Sequence, residues 1–111
     1  MIVNAHITGW RARSGSDKAG QATWATQTLA RPLQCLRSGV SKAQAELLAV
    51  NELSADETVL YQADGAGAPD VAAGDRIQLD GAARWHEVVK VARVAKGAVS
   101  HRTLFLRELM R

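Results

Sequence analysis

The chain has 111 residues, a net charge of +3 at neutral pH and 47% apolar residues, which bounds it to one domain able to bury a core. Its single cysteine, Cys35, excludes a disulfide scaffold and points to a reducing compartment. No apolar run approaches the roughly 20 residues a membrane helix needs, and no secretory leader pattern opens the chain, so a soluble protein made in the cytoplasm is expected.

Taken in order, Ile2 to Trp10 predicts a first strand, with Ile2, Val3, Ala5 and Ile7 supplying apolar bulk. Arg11 to Gly20 carries Ser14, Gly15, Ser16, Asp17 and Gly20 and predicts a loop. Arg11, Arg13 and Lys18 make that loop polar, and its composition suggests a mobile tip. Gln21 to Leu36 is rich in Thr and apolar residues. Pro32 cannot donate to a sheet ladder, so the segment is an edge or two short strands broken near Pro32. Leu33 and Cys35 alternate with Gln34, which turns Cys35 inward as a small core residue.

Ser41 followed three residues later by Gln44 fits a capping box. With Ala43, Ala45, Glu46, Leu47, Leu48 and Ala49 behind it, this predicts a short helix from about Lys42 to Val50, a strand being the alternative for so short a run. Thr58 to Tyr61 predicts a compact strand. Ala63 to Ala73 is a long loop punctuated by Gly65, Gly67 and Pro69, with Asp64 and Asp70 near its ends.

Gly74 to Val91 is the best-defined hairpin. Ile77 and Leu79 alternate with Arg76 and Gln78, Asp80-Gly81 supplies the turn, and Trp85, Val88, Val89 and Val91 return. Arg93 to Ala98 holds a further turn at Lys96-Gly97. Ser100 to Leu109 closes the chain as a strand. The sum predicts a mainly β fold: a small antiparallel β-barrel or sandwich with one short helix and long loops, as one domain spanning 1–111. Trp10, Trp24 and Trp85 are expected to anchor core or interface. Tyr61, Trp85 and Phe105, set in apolar runs, are expected in the core.

The same chain carries fragments of catalytic and metal-binding motifs but no complete one. His86-Glu87 opens like a zinc-protease motif, but Lys90 stands where the second His is required, and the segment reads as a strand. His6, His86, His101 and Cys35 lack metal-ligand spacing. No Gly-x-Ser-x-Gly elbow is present, and Gly65-Ala66-Gly67 lacks the rest of either phosphate-binding fingerprint. No catalytic residue, cofactor or metal is therefore assigned. From Arg84 onward, seven Lys or Arg face only Glu87 and Glu108. This charge reads either as a solvated strand face or as a surface for nucleic acid or an acidic partner, with Arg84, Lys90, Arg93 and Lys96 as the DNA-proximal candidates.

Four stretches together resemble the small head-tail connector proteins of tailed phages, the head completion or stopper component of the neck. They are Arg13 to Gly20 with Thr23-Trp24; Leu33-Gln-Cys-Leu-Arg37; Thr58-Val-Leu-Tyr61 followed by a Pro-bearing loop and Gly74-Asp-Arg-Ile77; and Asp80-Gly81, Trp85, Glu87-Val88 with His101-Arg102 and Leu104-Phe-Leu106. The resemblance covers most of the chain and is best from Thr58 onward. It implies a structural virion protein with no active site, assembled as a homo-oligomeric ring, a hexamer, at the virion neck. Portal and adaptor proteins would lie above it and tail terminator or tail tube proteins below. Packaged double-stranded DNA would lie in the channel, and no membrane would be involved. On this reading Arg11, Arg13, Lys18, Asp64, Pro69 and Asp70 are the candidate interface or gate positions. A tail terminator or tail completion protein is the alternative within the same class, and a small basic nucleic-acid-binding β-barrel the alternative from another.

Overall fold

A computed structural model describes residues 3–29, 31–63, 69–96 and 99–109, with the side chains at 94–96 and 99 left aside. Its elements are β1 (Ala5–Ser16), β2 (Ala22–Gln27), β3 (Leu33–Gly39), α1 (Lys42–Val50), β4 (Glu57–Gln62), β5 (Arg76–Leu79), β6 (Trp85–Lys96) and β7 (Val99–Glu108). Neighbouring strands follow the order β2-β1-β3-β4-β7-β6-β5, every pairing is antiparallel, and β5 returns to pair with β1. Six strands thus close a barrel and β2 is added outside it. Of barrel and sandwich, the closure selects the barrel.

β1 makes the closure possible because it is long enough to serve three partners. Ala5 to Ile7 pair with β3, Ile7 to Arg11 pair with β5, and Trp10 to Ser16 pair with β2. The break at Pro32 lets β2 and β3 follow one another along the same edge of β1. The far half of β1 and all of β2 form a two-stranded arm at the barrel wall. This corrects the predicted loop at Arg11 to Gly20: Arg11 to Ser16 are strand, and the turn is confined to Asp17 to Gln21. There the Asp17 carboxylate accepts the amides of Ala19 and Gln21, both at 2.9 Å. Ser and Gly had read as loop residues, but cross-strand pairing overrides that propensity, and the register shift between Arg13 and Gly15 absorbs the misfit as a bulge.

The barrel interior is filled by side chains at period 2. Ile7, Val59, Tyr61, Ile77, Leu79, Val88, Leu104 and Leu106 are fully buried, and Cys35 lies inward as expected. Burying each such aliphatic side chain is worth about 1.5–3 kcal/mol. Val71, from the segment before β5, joins the same cluster. Two bulges keep the alternation in phase: one between Ile7 and Gly9 on β1, one between Val88 and Lys90 on β6. After the second, Lys90 opposes Phe105 while Val91 still opposes Leu104. Thr58 and Phe105, paired in register, are buried without belonging to the inner cluster, as is Leu48 of α1. Of the three aromatics expected in the core, Tyr61 and Phe105 are buried, whereas Trp85 is half-exposed on the outer face.

The predicted helix forms over the same residues. Ser41 Oγ accepts the Gln44 amide at 3.2 Å, and Gln44 Oε1 accepts the Ser41 amide at 2.9 Å. The helix ends with Glu52 at φ 58°, where the amides of Glu52 and Leu53 bond back to Ala49 and Leu48. Leu47 and Val50 are exposed on its far side. Of the turn expected at Lys96-Gly97, Lys96 is the last residue of β6, and Gly97 and Ala98 lie outside the described residues.

Candidate functional site

The arm is rooted at Gly74-Asp75-Arg76. Gly74 sits at φ +95°, a conformation that favours glycine, and its carbonyl accepts Trp24 Nε1 at 2.9 Å. Asp75 is only 4% exposed, and its carboxylate accepts three donors: Trp10 Nε1 at 2.9 Å, the Arg13 amide at 3.0 Å and the Ala72 amide at 3.0 Å. Gly74 N and Asp75 O both bond to Val88, tying the same corner to β6. One buried carboxylate therefore joins the arm, the segment before β5 and the barrel wall.

The outer face beside this root carries interleaved arginine and tryptophan. Arg11 and Arg76 are opposite one another in register, and Arg13 is opposite Trp24. The Arg76 guanidinium lies 3.6 Å from the centre of the Trp24 ring, and that of Arg11 lies 4.0 Å from the centre of the Trp85 ring. Trp85 can lie this close only because residue 9 is glycine: a Cβ there would stand 2.7 Å from Trp85 Cη2. Beside Arg13 and Gly74 opens a cavity of about 350 Å³ whose lining includes Glu52, Glu87 and Arg107.

One mouth of the barrel is closed by charge. Glu57 receives Arg37 through two bonds, Nε at 2.6 Å and Nη2 at 3.0 Å, and lies 2.6 Å from His86 Nε2. The direct bond to Glu57 raises the Arg37 pKa, so its charge is fixed. His86 is 5% exposed and its Nδ1 is buried without a partner. A carboxylate–imidazole pair can move a proton, but this imidazole is walled off from solvent, so the arrangement acts as a strut between β3, β4 and β6. The turn at Asp80-Gly81, both at positive φ, is stitched to β1: Asp80 Oδ1 accepts the His6 amide at 2.9 Å and Thr8 Oγ1 accepts the Gly81 amide at 2.8 Å. Among the described residues no group of three or more His, Cys, Asp or Glu could hold a metal ion.

The candidate interface positions separate into different settings. Arg11 and Arg13 lie on β1, and Lys18 is exposed at the turn of the arm. Pro69 is buried, its carbonyl accepting Tyr61 Oη at 2.9 Å and Arg102 Nη1 at 3.2 Å. Asp70 is exposed but ion-paired, 2.6 Å from Arg102 and 3.5 Å from Arg93. The described end of the Ala63 to Ala73 loop is thus pinned to the barrel, while Asp64 lies outside the described residues. Among the DNA-proximal candidates, Arg84 pairs with Glu108 at 3.2 Å and Arg93 with Asp70. Lys90 is on the outer face opposite Phe105, and the side chain of Lys96 lies outside the described residues.

Sequence reading passed over Asp75, Glu57 and the two arginine–tryptophan stacks. A signal existed for the stacks, since Arg11 and Arg13 alternate with Trp10 and Ala12, the period of a strand. None existed for Glu57, whose partners lie 20 and 29 residues away along the chain. Comparison with protein-family models, curated proteins and solved structures finds no match to this chain.

Proposed function

We propose that the protein is a structural subunit of a tailed-phage neck, a head completion or stopper protein. It forms a homo-oligomeric ring between the portal-adaptor complex and the tail, and helps to retain or gate the packaged double-stranded DNA. It performs no reaction. The observation that carries this reading is the build of the molecule: a barrel whose interior is filled by apolar side chains, with a two-stranded arm fixed to its wall through Asp75. Such a unit spends its inside on rigidity and offers its outside for contact. The exposure of Leu47 (57%) and Val50 (80%) on one helix supports a surface that is covered on assembly. A head-to-tail ring needs two different complementary faces on each subunit, and the arm and the helix supply two.

Electron microscopy of purified particles tests the reading. A ring of this mass at the neck, with cross-links from the Lys18 turn to the neighbouring subunit or to a flanking ring, is expected. Particles whose neck contains no such chain would exclude it.

A further inference from the structure

We propose that Arg11, Arg13 and Arg76 form a docking face for the phosphate backbone of double-stranded DNA, with Trp24 and Trp85 as the flat supports that hold two of the guanidinium groups. The choice of duplex DNA as occupant rests on the connector reading; the face itself rests on geometry alone.

The three side chains share the outer face of β1 and β5. Arg11 and Arg13 are two apart on one strand, roughly 6.7 Å along it. Arg76 stands directly across from Arg11, and its guanidinium reaches Trp24, the residue paired with Arg13. Like charges placed directly opposite in a sheet destabilise it. Among the described residues no ion pair reaches Arg11, Arg13 or Arg76. The arginine ion pairs there go to other residues: Glu57 and Asp80 to Arg37, Glu108 to Arg84, Asp70 to Arg93 and Arg102. Glu87, opposite Arg76 in register, is turned instead to Arg107 at 2.6 Å. Asp75 takes the Arg13 backbone amide and not its guanidinium. Arg76 Nε is buried with no partner.

Stacking occupies the flat face of a guanidinium and leaves its N–H edge free, and that forked edge matches the oxygens of a phosphate. Three such groups on paired strands make a fixed array of positive charge. A duplex, with one charge per about 1.7 Å of axis, can engage all three together, whereas one acidic side chain engages only one. Of the cations predicted from the C-terminal charge excess, Arg84 and Arg93 already have acidic partners, whereas Arg11, Arg13 and Arg76 form a group of three cations outside every such pair.

The test is titration of the isolated protein with a short mixed-sequence duplex, read by tryptophan fluorescence, since both supporting rings report on the face. Binding at low salt is expected to weaken on a log–log plot with a slope of roughly −2 to −3, as for three phosphates. The Arg11→Gln/Arg13→Gln variant, which leaves the partly buried Arg76 in place, is expected to lose about tenfold in affinity and to flatten the slope by roughly two. An Arg84→Gln/Arg93→Gln variant is expected to bind as the parent does. Absence of binding at low salt, equal losses in the two variants, or competition by polyglutamate as strong as by DNA would overturn the proposal, the last in favour of an acidic protein partner. A ring at the particle neck together with absent DNA binding would remove this face and leave the connector reading standing. DNA binding through these arginines with no such ring would do the reverse.

Discussion

The Asp75 carboxylate and the Trp10 indole, 65 positions apart, meet in a 2.9 Å hydrogen bond at the place where the arm leaves the barrel. The same carboxylate also holds the amides of Arg13 and Ala72. Removing a buried acceptor strands its donors without solvent, which costs about 1–3 kcal/mol for each group left unmade. Asp75→Ala is therefore expected to destabilise the protein by roughly 2–4 kcal/mol, measured as a fall in the urea midpoint at unchanged slope. Asp75→Asn, which keeps one acceptor oxygen, is expected to cost less. An Asp75→Ala protein as stable as the parent would show that the arm is held elsewhere.

Gly9 and Trp85 form a pair of another kind. A methyl group at position 9 meets Trp85 Cη2 at 2.7 Å and Gln78 Oε1 at 2.9 Å, so the ring has to move off the strand. Gly9→Ala is expected to cost about 1–3 kcal/mol, the usual range for overpacking, and to shift the tryptophan emission. In a Trp85→Ala background the same substitution is expected to cost less, and a double-mutant cycle measures the coupling. Equal costs in both backgrounds would place the strain on the backbone instead of on the ring.

At the barrel mouth, Glu57 stands between Arg37 and His86. Glu57→Gln removes the nearer counter-charge of Arg37, leaving Asp80 at 3.9 Å, and offers His86 a neutral amide oxygen in place of a carboxylate. Loss of one partner of a buried pair costs about 3–5 kcal/mol, and because the Arg37 side chain is 40% exposed the expected loss here is smaller, roughly 1–3 kcal/mol. Chemical denaturation of the variant at neutral pH is the check, and a loss near zero would mean that solvent already satisfies both groups.

Burial pushes the Cys35 thiol up from 9.0 to about 11, with the nearby Asp80 charge adding to the effect. Because the folded-state pKa is raised, the unfolded chain gives up this proton first as pH rises. The stabilisation is complete below about pH 9 and is lost on the way to about 11, amounting to at most about 3 kcal/mol. Tyr61, whose phenol is raised above 10.0 by desolvation, extends the decline upward. Stability measured from pH 7 to 11 is expected to be flat and then fall, and Cys35→Ala is expected to remove the first part of the fall. An identical profile in parent and variant would refute the assignment to Cys35.

What the amino-acid order disclosed and what it withheld divide along a physical line. The helix was legible to its ends because its signals are local: Ser41 and Gln44 cap it and alanines fill it. The β5–β6 hairpin was legible because Asp80-Gly81 lies between alternating residues. The arm was misread because Ser14, Gly15 and Ser16 have loop propensities, while their pairing with Ala22 and Thr23 is a tertiary fact that no single segment carries. Trp85 was misplaced for a related reason. Val88, Val89 and Val91 follow it, yet its ring lies on the outer face against Gly9 of β1, the strand that pairs with β5 of the same hairpin, a contact that the local pattern does not carry. The candidate site fared likewise. Counting charge along the chain selected Arg84, Lys90, Arg93 and Lys96, but only the folded register reveals that Arg84 and Arg93 have found an acid.

β1 belongs at once to the barrel wall and to the arm, with no interruption between them. The two parts therefore behave as a lever on a fixed mount instead of as bodies joined by a hinge. A push at the Lys18 turn is delivered along β1 as shear on its ladders with β3 and β5, and the bulge near Gly15 is the natural place for flexure. Whatever seizes the tip of this hairpin thereby gains a mechanical grip on the whole wall.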